Sequence, residues 1–216
     1  MASIGVLGTG MVGQTLAARL ASLGVDVLVG ARSADSSSLD PFADLDVRTG
    51  SFADAAAHAD LLVNATNGVN SLAVLESIGA EALAGKTVLD LSNELIRDEA
   101  GMPVPAASLE NSVARRLHEA FPETFVVKSL NTMNCTVMAD PSILPGDHVV
   151  FLSGDDESAK DRVRDLLATF GWRPEQMVDL GGIESAAGPE MMMKVWLLVS
   201  QTRGWDSRFN WAIHSA

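Results

Sequence analysis

Cysteine is nearly absent from this chain of 216 residues. The single thiol, Cys135, excludes a disulfide within the chain. A lone thiol is typical of proteins that work in a reducing compartment, which predicts a cytoplasmic location. We interpret Cys135 as a small buried apolar residue rather than as a nucleophile.

Basic residues and long apolar runs are also scarce. Lysine and arginine number 15 against 28 aspartates and glutamates, for a formal net charge of −13. Such an acidic surface repels polyanions, so neither nucleic acid nor an anionic membrane is expected as a partner. The longest apolar stretch, residues 191–199, is interrupted by Lys194 and is too short to span a bilayer. Residues 1–8 form a predicted strand rather than a signal peptide.

The strongest positive signal lies in the first 33 residues. A strand at Ile4–Leu7 is followed by a glycine-rich turn, a helical run and a second strand. In this fingerprint Gly8 allows a sharp turn, Gly10 lets the backbone approach a pyrophosphate, and Gly13 lets the helix pack on the sheet. The helix start then offers free N–H groups to phosphate. A dinucleotide site is therefore predicted at Gly8, Thr9, Gly10, Met11, Val12 and Gly13.

The end of the second strand selects between two cofactors. NAD sites usually place a carboxylate there to bind the ribose 2′-hydroxyl, whereas this chain has Gly30, Ala31, Arg32 and Ser33. A guanidinium binds a 2′-phosphate through charge-assisted hydrogen bonds, and a serine adds a hydroxyl donor. We therefore predict NADP(H), held by Arg32 and Ser33.

The rest of the chain alternates between apolar strands and helices. This alternation predicts an α/β fold, a Rossmann-type doubly wound parallel sheet with helices on both faces. We expect a Rossmann domain over residues 1–140, with a smaller C-terminal α/β part over 141–216 that binds the acceptor or forms a dimer. Predicted strands cover 45–47, 61–65, 87–91, 125–130, 148–152 and 177–180. Predicted helices begin after Ser51 and cover 72–83, 108–120, 158–170 and 184–199, and residues 98–107 are a predicted loop.

Small polar side chains follow several of these strands. Because ligands in open α/β sheets bind at the carboxyl ends of the strands, these groups are expected to meet at one edge. Ordinary turn chemistry accounts for any one of them alone. Together they suit a nicotinamide, its ribose and a planar acceptor stacked against it. The predicted cofactor site therefore also includes Asn64, Ala65, Thr66, Asn67, Ser92, Asn93 and Asn131.

Acid–base and metal-binding patterns are missing near these positions. The four histidines show neither a His-Asp-Ser arrangement nor metal-ligand spacing, so no metal is predicted. Direct hydride transfer between two ring systems needs mainly alignment and exclusion of water. The absence of acid–base and metal-binding patterns therefore favours a flavin-like second substrate.

Several stretches resemble the coenzyme F420-dependent NADP oxidoreductase family over nearly the whole chain. They are residues 8–13, 30–32, 127–134, 146–148, 153–156 and 190–196, of which 128–134 is the most specific. The resemblance implies hydride transfer between NADP(H) and a deazaflavin in a cleft between the two parts of a homodimer subunit. It also implies that Thr9, Arg32 and Ser33 bind NADP and that Asn131, Thr132 and Met133 align the rings. The fold is similar, too, to the cytosolic domain of membrane metalloreductases, which reduces a flavin.

Three functions remain open from the sequence. The first is an NADP-dependent oxidoreductase acting on the deazaflavin, the second an NADPH-dependent reductase of FMN, FAD or another small acceptor, and the third an NADPH-binding sensor without turnover. Trp196 and Trp205 are the first candidates to face a ring. The apolar helix over residues 191–199 is expected at or near a dimer interface.

Overall fold

The computed structural model describes residues 3–205 and 207–215. Its strands are β1 (Ile4–Leu7), β2 (Val27–Ala31), β3 (Arg48–Ser51), β4 (Leu61–Asn64), β5 (Thr87–Asp90), β6 (Leu95–Arg97), β7 (Pro103–Pro105), β8 (Phe125–Ser129), β9 (Val150–Ser153) and β10 (Met177–Asp179). Its α-helices are α1 (Met11–Ser22), α2 (Phe52–His58), α3 (Gly68–Ile78), α4 (Ala80–Leu83), α5 (Val113–Ala120), α6 (Cys135–Ala139), α7 (Glu157–Phe170) and α8 (Ala187–Arg203).

Eight strands form one sheet in the order β10-β9-β8-β5-β4-β1-β2-β3, and β6 and β7 form a separate hairpin. The six strands from β8 to β3 are parallel. Strand β9 runs antiparallel to β8, and β10 is parallel to β9. The predicted Rossmann-type class is thus confirmed, with a reversal of direction where the C-terminal strands join the same sheet.

Two apolar cores flank the sheet because its strands are buried on both faces. On β4, Leu61 and Val63 pack into one core and Leu62 into the other. Helices α1 and α7 cover the first core, and α2 and α5 cover the second. No helix in the described ranges 3–205 and 207–215 has the length and apolar character needed to cross a membrane.

Two predicted elements in the first half are wrong. The third strand lies at Arg48–Ser51 instead of 45–47, because pairing with β2 begins only at Arg48. The helix predicted at 72–83 begins earlier, at Gly68, where Asn67 accepts a hydrogen bond from the Val69 N–H. It ends at Gly79, whose φ of +93° separates α3 from α4.

Other boundaries also differ from the prediction. The expected loop at 98–107 contains β7, which pairs with β6. Ser112, not Ser108, caps α5 by accepting from the Arg115 N–H. Strand β9 starts at Val150 instead of residue 148, and the last helix, α8, follows a 3₁₀ turn at Ile183–Ala186 and extends to Arg203. The predicted capping of α2 by Ser51 and Asp54 is confirmed.

Candidate active site

The turn between β1 and α1 leaves its N–H groups free. Gly10 is the N-cap, no side chain caps the helix, and no acidic residue lies in its first turn. Gly8 has φ +118°, a conformation that favours glycine. A Cβ on Gly13 would overlap the Gly8 carbonyl oxygen, whereas a Cβ on Gly10 would meet nothing within 4 Å. Gly13 therefore serves packing, and Gly10 leaves open space beside the helix N-terminus.

Arg32 and Ser33 directly follow β2 at the same edge of the sheet, and both side chains are exposed. Among the described residues, Arg32 makes no ion pair within 4.0 Å. A guanidinium without a carboxylate partner is available to a phosphate.

A cavity of about 320 Å³ opens beside the glycine turn. Ten predicted site residues line it: Gly10, Met11, Val12, Ala65, Thr66, Asn67, Ser92, Asn93, Asn131 and Met133. They come from the carboxyl ends of β1, β4, β5 and β8, as the parallel topology predicts. The structure thus brings most of the predicted site together in one place.

The floor of the cavity contains a reciprocal pair of amides. Asn93 Nδ2 donates to the Asn131 carbonyl oxygen at 2.8 Å, and Asn131 Nδ2 donates to Asn93 Oδ1 at 3.0 Å. Leu130, just before Asn131, is buried with φ +62°, the one described non-glycine residue with a positive φ. This sparsely populated conformation ends β8 and is held in place by its surroundings.

Sulfur atoms and one indole complete the walls. Met133, Met138, Cys135 and Met193 line the cavity with Trp196. Cys135 is only 4% exposed, as predicted for an apolar residue. The Ser92 hydroxyl and Trp196 Nε1 are buried and have no hydrogen-bond partner within the described chain. Two residues of the cavity wall thus each carry an enclosed polar atom without a partner.

The C-terminal segment supports Trp196 from behind. Phe209 stacks on Trp196 with ring centroids 5.6 Å apart, and Trp211 packs edge-on against Phe209. Trp211 Nε1 donates to the Thr132 carbonyl oxygen at 3.1 Å. This aromatic group joins the middle of α8 to the loop after β8.

Some predicted residues lie outside the cavity wall. Thr132 is buried and contacts the C-terminal segment through its backbone, and Trp205 is exposed. Asn64 is fully buried behind the cavity, where its Oδ1 accepts from Thr66 Oγ1 at 2.6 Å. The Thr9 carbonyl oxygen accepts from Gln14 Nε2.

Sequence reasoning missed a buried charged group behind the floor. Lys128, Asp90 and Glu190, here called the Lys128 cluster, have side chains at most 1% exposed. Burial alone would lower the pKa of the Lys128 ammonium, but the Asp90 and Glu190 carboxylates outweigh it and raise that pKa. The sequence did contain a signal for this cluster. Lys128 and Asp90 are charged residues within two strands whose sequences are otherwise typical of fully buried strands.

Comparison with known proteins identifies the family of the chain. Residues 3–94 match the family model described as NADP oxidoreductase, coenzyme F420-dependent. A protein of Arthrobacter sp. FB24, solved as a candidate F420-dependent NADP reductase, is 40% identical over 100% of both chains, with a TM-score of 0.90.

More distant relatives share parts of the chain. The metalloreductase STEAP3 of Rattus norvegicus is 28% identical over 187 residues, 85% of this chain. The chain spans about a third of that protein, 34%. An imine reductase of Streptomyces aurantiacus is 22% identical, with a TM-score of 0.66 over 94% of this chain and 64% of its own, and shares the fold. The chain belongs to the family of coenzyme F420-dependent NADP oxidoreductases, which places it among the NADP-dependent oxidoreductases.

Proposed function

We propose that the protein transfers a hydride between NADP(H) and a deazaflavin, coenzyme F420, in the cavity at the carboxyl edge of the sheet. The observation that carries this proposal is the chemical character of the cavity. Within the described part of the chain, its lining consists of apolar and uncharged polar residues, with no charged side chain. Hydride transfer between two rings needs alignment and a dry site more than a protein acid or base.

The turn at the start of α1 fits the pyrophosphate of NADP(H). Its first-turn N–H groups have no capping side chain, and Gly10 leaves room for close approach. The positive end of the helix dipole favours an anion there. Arg32 and Ser33, exposed after β2, would bind the 2′-phosphate.

The other wall of the cavity fits a planar acceptor. Met133, Met138 and Met193 offer polarisable contacts to a ring. The unpartnered Ser92 hydroxyl and Trp196 N–H would donate to polar atoms at the ring edge. When bound, NADPH supplies the hydride that the acceptor takes up, while these side chains orient the acceptor and exclude water. Residues 1–140 would thus hold NADP(H), and residues 141–216 would complete the acceptor side.

The proposal includes a homodimer formed through α8. Met191, Val195 and Leu198, spaced four and three residues apart, are 40%, 49% and 50% exposed and form one apolar stripe on that helix. A second copy of the chain would cover this stripe. Light scattering at micromolar concentration should show a dimer for the wild-type protein and a monomer for Val195→Glu. A monomeric wild-type protein would contradict the proposed homodimer.

The cytoplasm is the proposed compartment. Cys135 is free and buried, and a reducing environment keeps such a thiol reduced. Labelling of Cys135 with a thiol reagent under denaturing conditions, directly on protein taken from cells, should be complete.

The test is to mix the purified protein with NADPH and, in separate reactions, coenzyme F420 or FMN, and to follow the visible absorption of each acceptor. Bleaching of the deazaflavin with FMN unchanged is the expected result. Bleaching of FMN alone would overturn the proposal in favour of a flavin reductase. Bleaching of neither, with NADPH still bound in a fluorescence titration, would overturn it in favour of another acceptor or a sensor.

A further inference from the structure

The Lys128 cluster lies directly behind the floor of the cavity. Asp90 and Lys128 are register partners on β5 and β8, and Glu190 approaches them from the first turn of α8. Lys128 Nζ is 2.8 Å from Asp90 Oδ2 and 3.1 Å from Glu190 Oε1, and it also donates to the Ser92 carbonyl oxygen. Three acceptors therefore satisfy the three N–H groups of the ammonium.

Both carboxylates are bonded further. Asp90 Oδ1 accepts from Asn64 Nδ2 at 2.8 Å and from the Ser92 N–H at 3.2 Å. Glu190 accepts from the Ser112 hydroxyl at 2.9 Å and from the N–H groups of Val113 and Ala114 at 2.8 and 3.1 Å. The cluster thus joins β5, β8, the start of α5 and the start of α8 in one hydrogen-bonded network.

Each member of the cluster is within three residues of the cavity wall. Asp90 and Lys128 hold the backbone N–H and C=O of Ser92 from both sides. Lys128 precedes Asn131 by three residues, with the left-handed Leu130 between them. Glu190 precedes Met193 by three residues, and Met193 Sδ accepts from Asn93 Nδ2 at 3.4 Å.

We infer that Lys128 and Glu190 are positioning residues for the acceptor: the Lys128 cluster fixes α8 and the Ser92 backbone so that Met193, Trp196 and the amides of Asn93 and Asn131 form one wall. This inference rests on the proposed hydride transfer. The NADP(H) side, formed by the β1 turn and the end of β2, contains no member of the cluster. Loss of the cluster should therefore impair the acceptor side selectively.

A second buried lysine provides a matched control. Lys160 is also enclosed, 3% exposed in its side chain, and lies 2.6 Å from Glu157 and 2.9 Å from Asp179. These partners belong to α7 and β10, neither of which contributes a residue to the cavity. Lys160→Met therefore removes a buried lysine that also pairs with two carboxylates, here 72% and 31% exposed, without reaching the wall.

The experiment compares Lys128→Met, Glu190→Gln and Lys160→Met. The first two should raise the acceptor KM or lower kcat by roughly 10- to 100-fold, because small displacements of a reacting partner cost this much. NADPH affinity, measured by nicotinamide fluorescence, should change by less than about threefold, because the phosphate contacts are untouched. Lys160→Met should lower the melting temperature and leave acceptor kinetics unchanged.

Hydrogen exchange gives a readout that does not depend on turnover. Amides of α8 and of residues 91–93 should exchange at least about tenfold faster in Lys128→Met and Glu190→Gln than in Lys160→Met, while β1 and β2 stay protected. If Lys128→Met does not fold, Glu190→Gln alone tests the inference, because this variant retains the Lys128–Asp90 pair. Unchanged exchange in α8, or equal losses of NADPH and acceptor binding, would overturn the inference. Absence of turnover in the wild type with the exchange pattern as expected would overturn only the proposed function.

Discussion

The two sides of the cavity are built in different ways. The proposed NADP side is a continuous strand, turn, helix and strand within the first 33 residues, and the groups proposed to face the cofactor are backbone N–H groups and one exposed arginine. The proposed acceptor side is assembled from the ends of β5 and β8, from α6 and from α8, and it is held by buried side-chain hydrogen bonds. The first is local in sequence and the second depends on tertiary packing. Substitutions should therefore separate binding from folding more easily on the NADP side.

The largest expected effect comes from Gly13, a position on the proposed NADP side where binding and folding coincide. Gly13→Ala introduces a Cβ that overlaps the Gly8 carbonyl oxygen, so α1 must move away from the turn. We expect destabilisation of about 1–3 kcal/mol, as for other overpacked sites, and NADPH binding weakened by at least about 100-fold. Thermal unfolding and a fluorescence titration measure the two effects.

Gly10→Ala is the matched variant three residues earlier. Its Cβ meets nothing within 4 Å, so the melting temperature should stay the same. NADPH binding should still weaken by about tenfold or more, since the added methyl group occupies the space left for the pyrophosphate. Equal destabilisation by both variants would contradict the distinction between a packing glycine and a binding glycine.

Arg32→Ala tests the choice of cofactor on the same side. The variant loses a charge-assisted contact worth about 1.5–3 kcal/mol. The affinity for NADPH should therefore fall by on the order of 10- to 100-fold, and the affinity for NADH should change by less than about twofold. Arg48→Ala is the control, because Arg48 pairs with Asp26 at the opposite edge of the sheet. Equal weakening of NADPH and NADH would show that Arg32 does not bind the 2′-phosphate.

Trp196→Phe tests the acceptor side with a smaller change. The substitution removes the unpartnered N–H while keeping a ring to stack on Phe209. We expect the acceptor KM to rise by about 2- to 10-fold, the value of one neutral hydrogen bond, with NADPH affinity unchanged. Trp205→Phe, outside the cavity, serves as the control. A KM that does not move in Trp196→Phe would remove the indole N–H from the proposed contacts.

The smallest effect is expected outside both sides, at Asp179. Burial alone would raise the pKa of this carboxyl, but hydrogen bonds from Lys160 and Gly181 and the nearby Lys160 and Arg164 charges lower it overall. A carboxyl whose pKa is lower in the folded state stabilises the fold at pH values above its unfolded pKa, which is near 3.9. This stabilisation is lost as the pH falls through the folded pKa. Asp179→Asn should therefore cost about 1 kcal/mol at pH 7 and less at pH 2.5, with unchanged kinetics. A pH-independent difference in thermal unfolding would refute this.

Local sequence patterns predicted the fold well where neighbouring residues decide the structure. The capping box at Ser51 and Asp54 and the buried strand at β4 are examples, since both depend on residues within one short segment. Predictions failed where distant partners decide, as at β3, whose bounds follow from pairing with β2. Gly79 was placed inside a helix, although its positive φ ends one.

The sequence by itself determined the class of fold, the glycine turn and the exposed Arg32, because these follow from residues that are close together in the chain. Membership of the coenzyme F420-dependent family and its NADP-dependent chemistry could be predicted from the sequence for the same reason. Only the tertiary structure decided that β9 runs antiparallel, that Asn93 meets Asn131, and that Lys128 is enclosed between Asp90 and Glu190. Those contacts join residues that are 23 to 62 positions apart in the chain, and no local propensity specifies which distant polar groups will share a buried site.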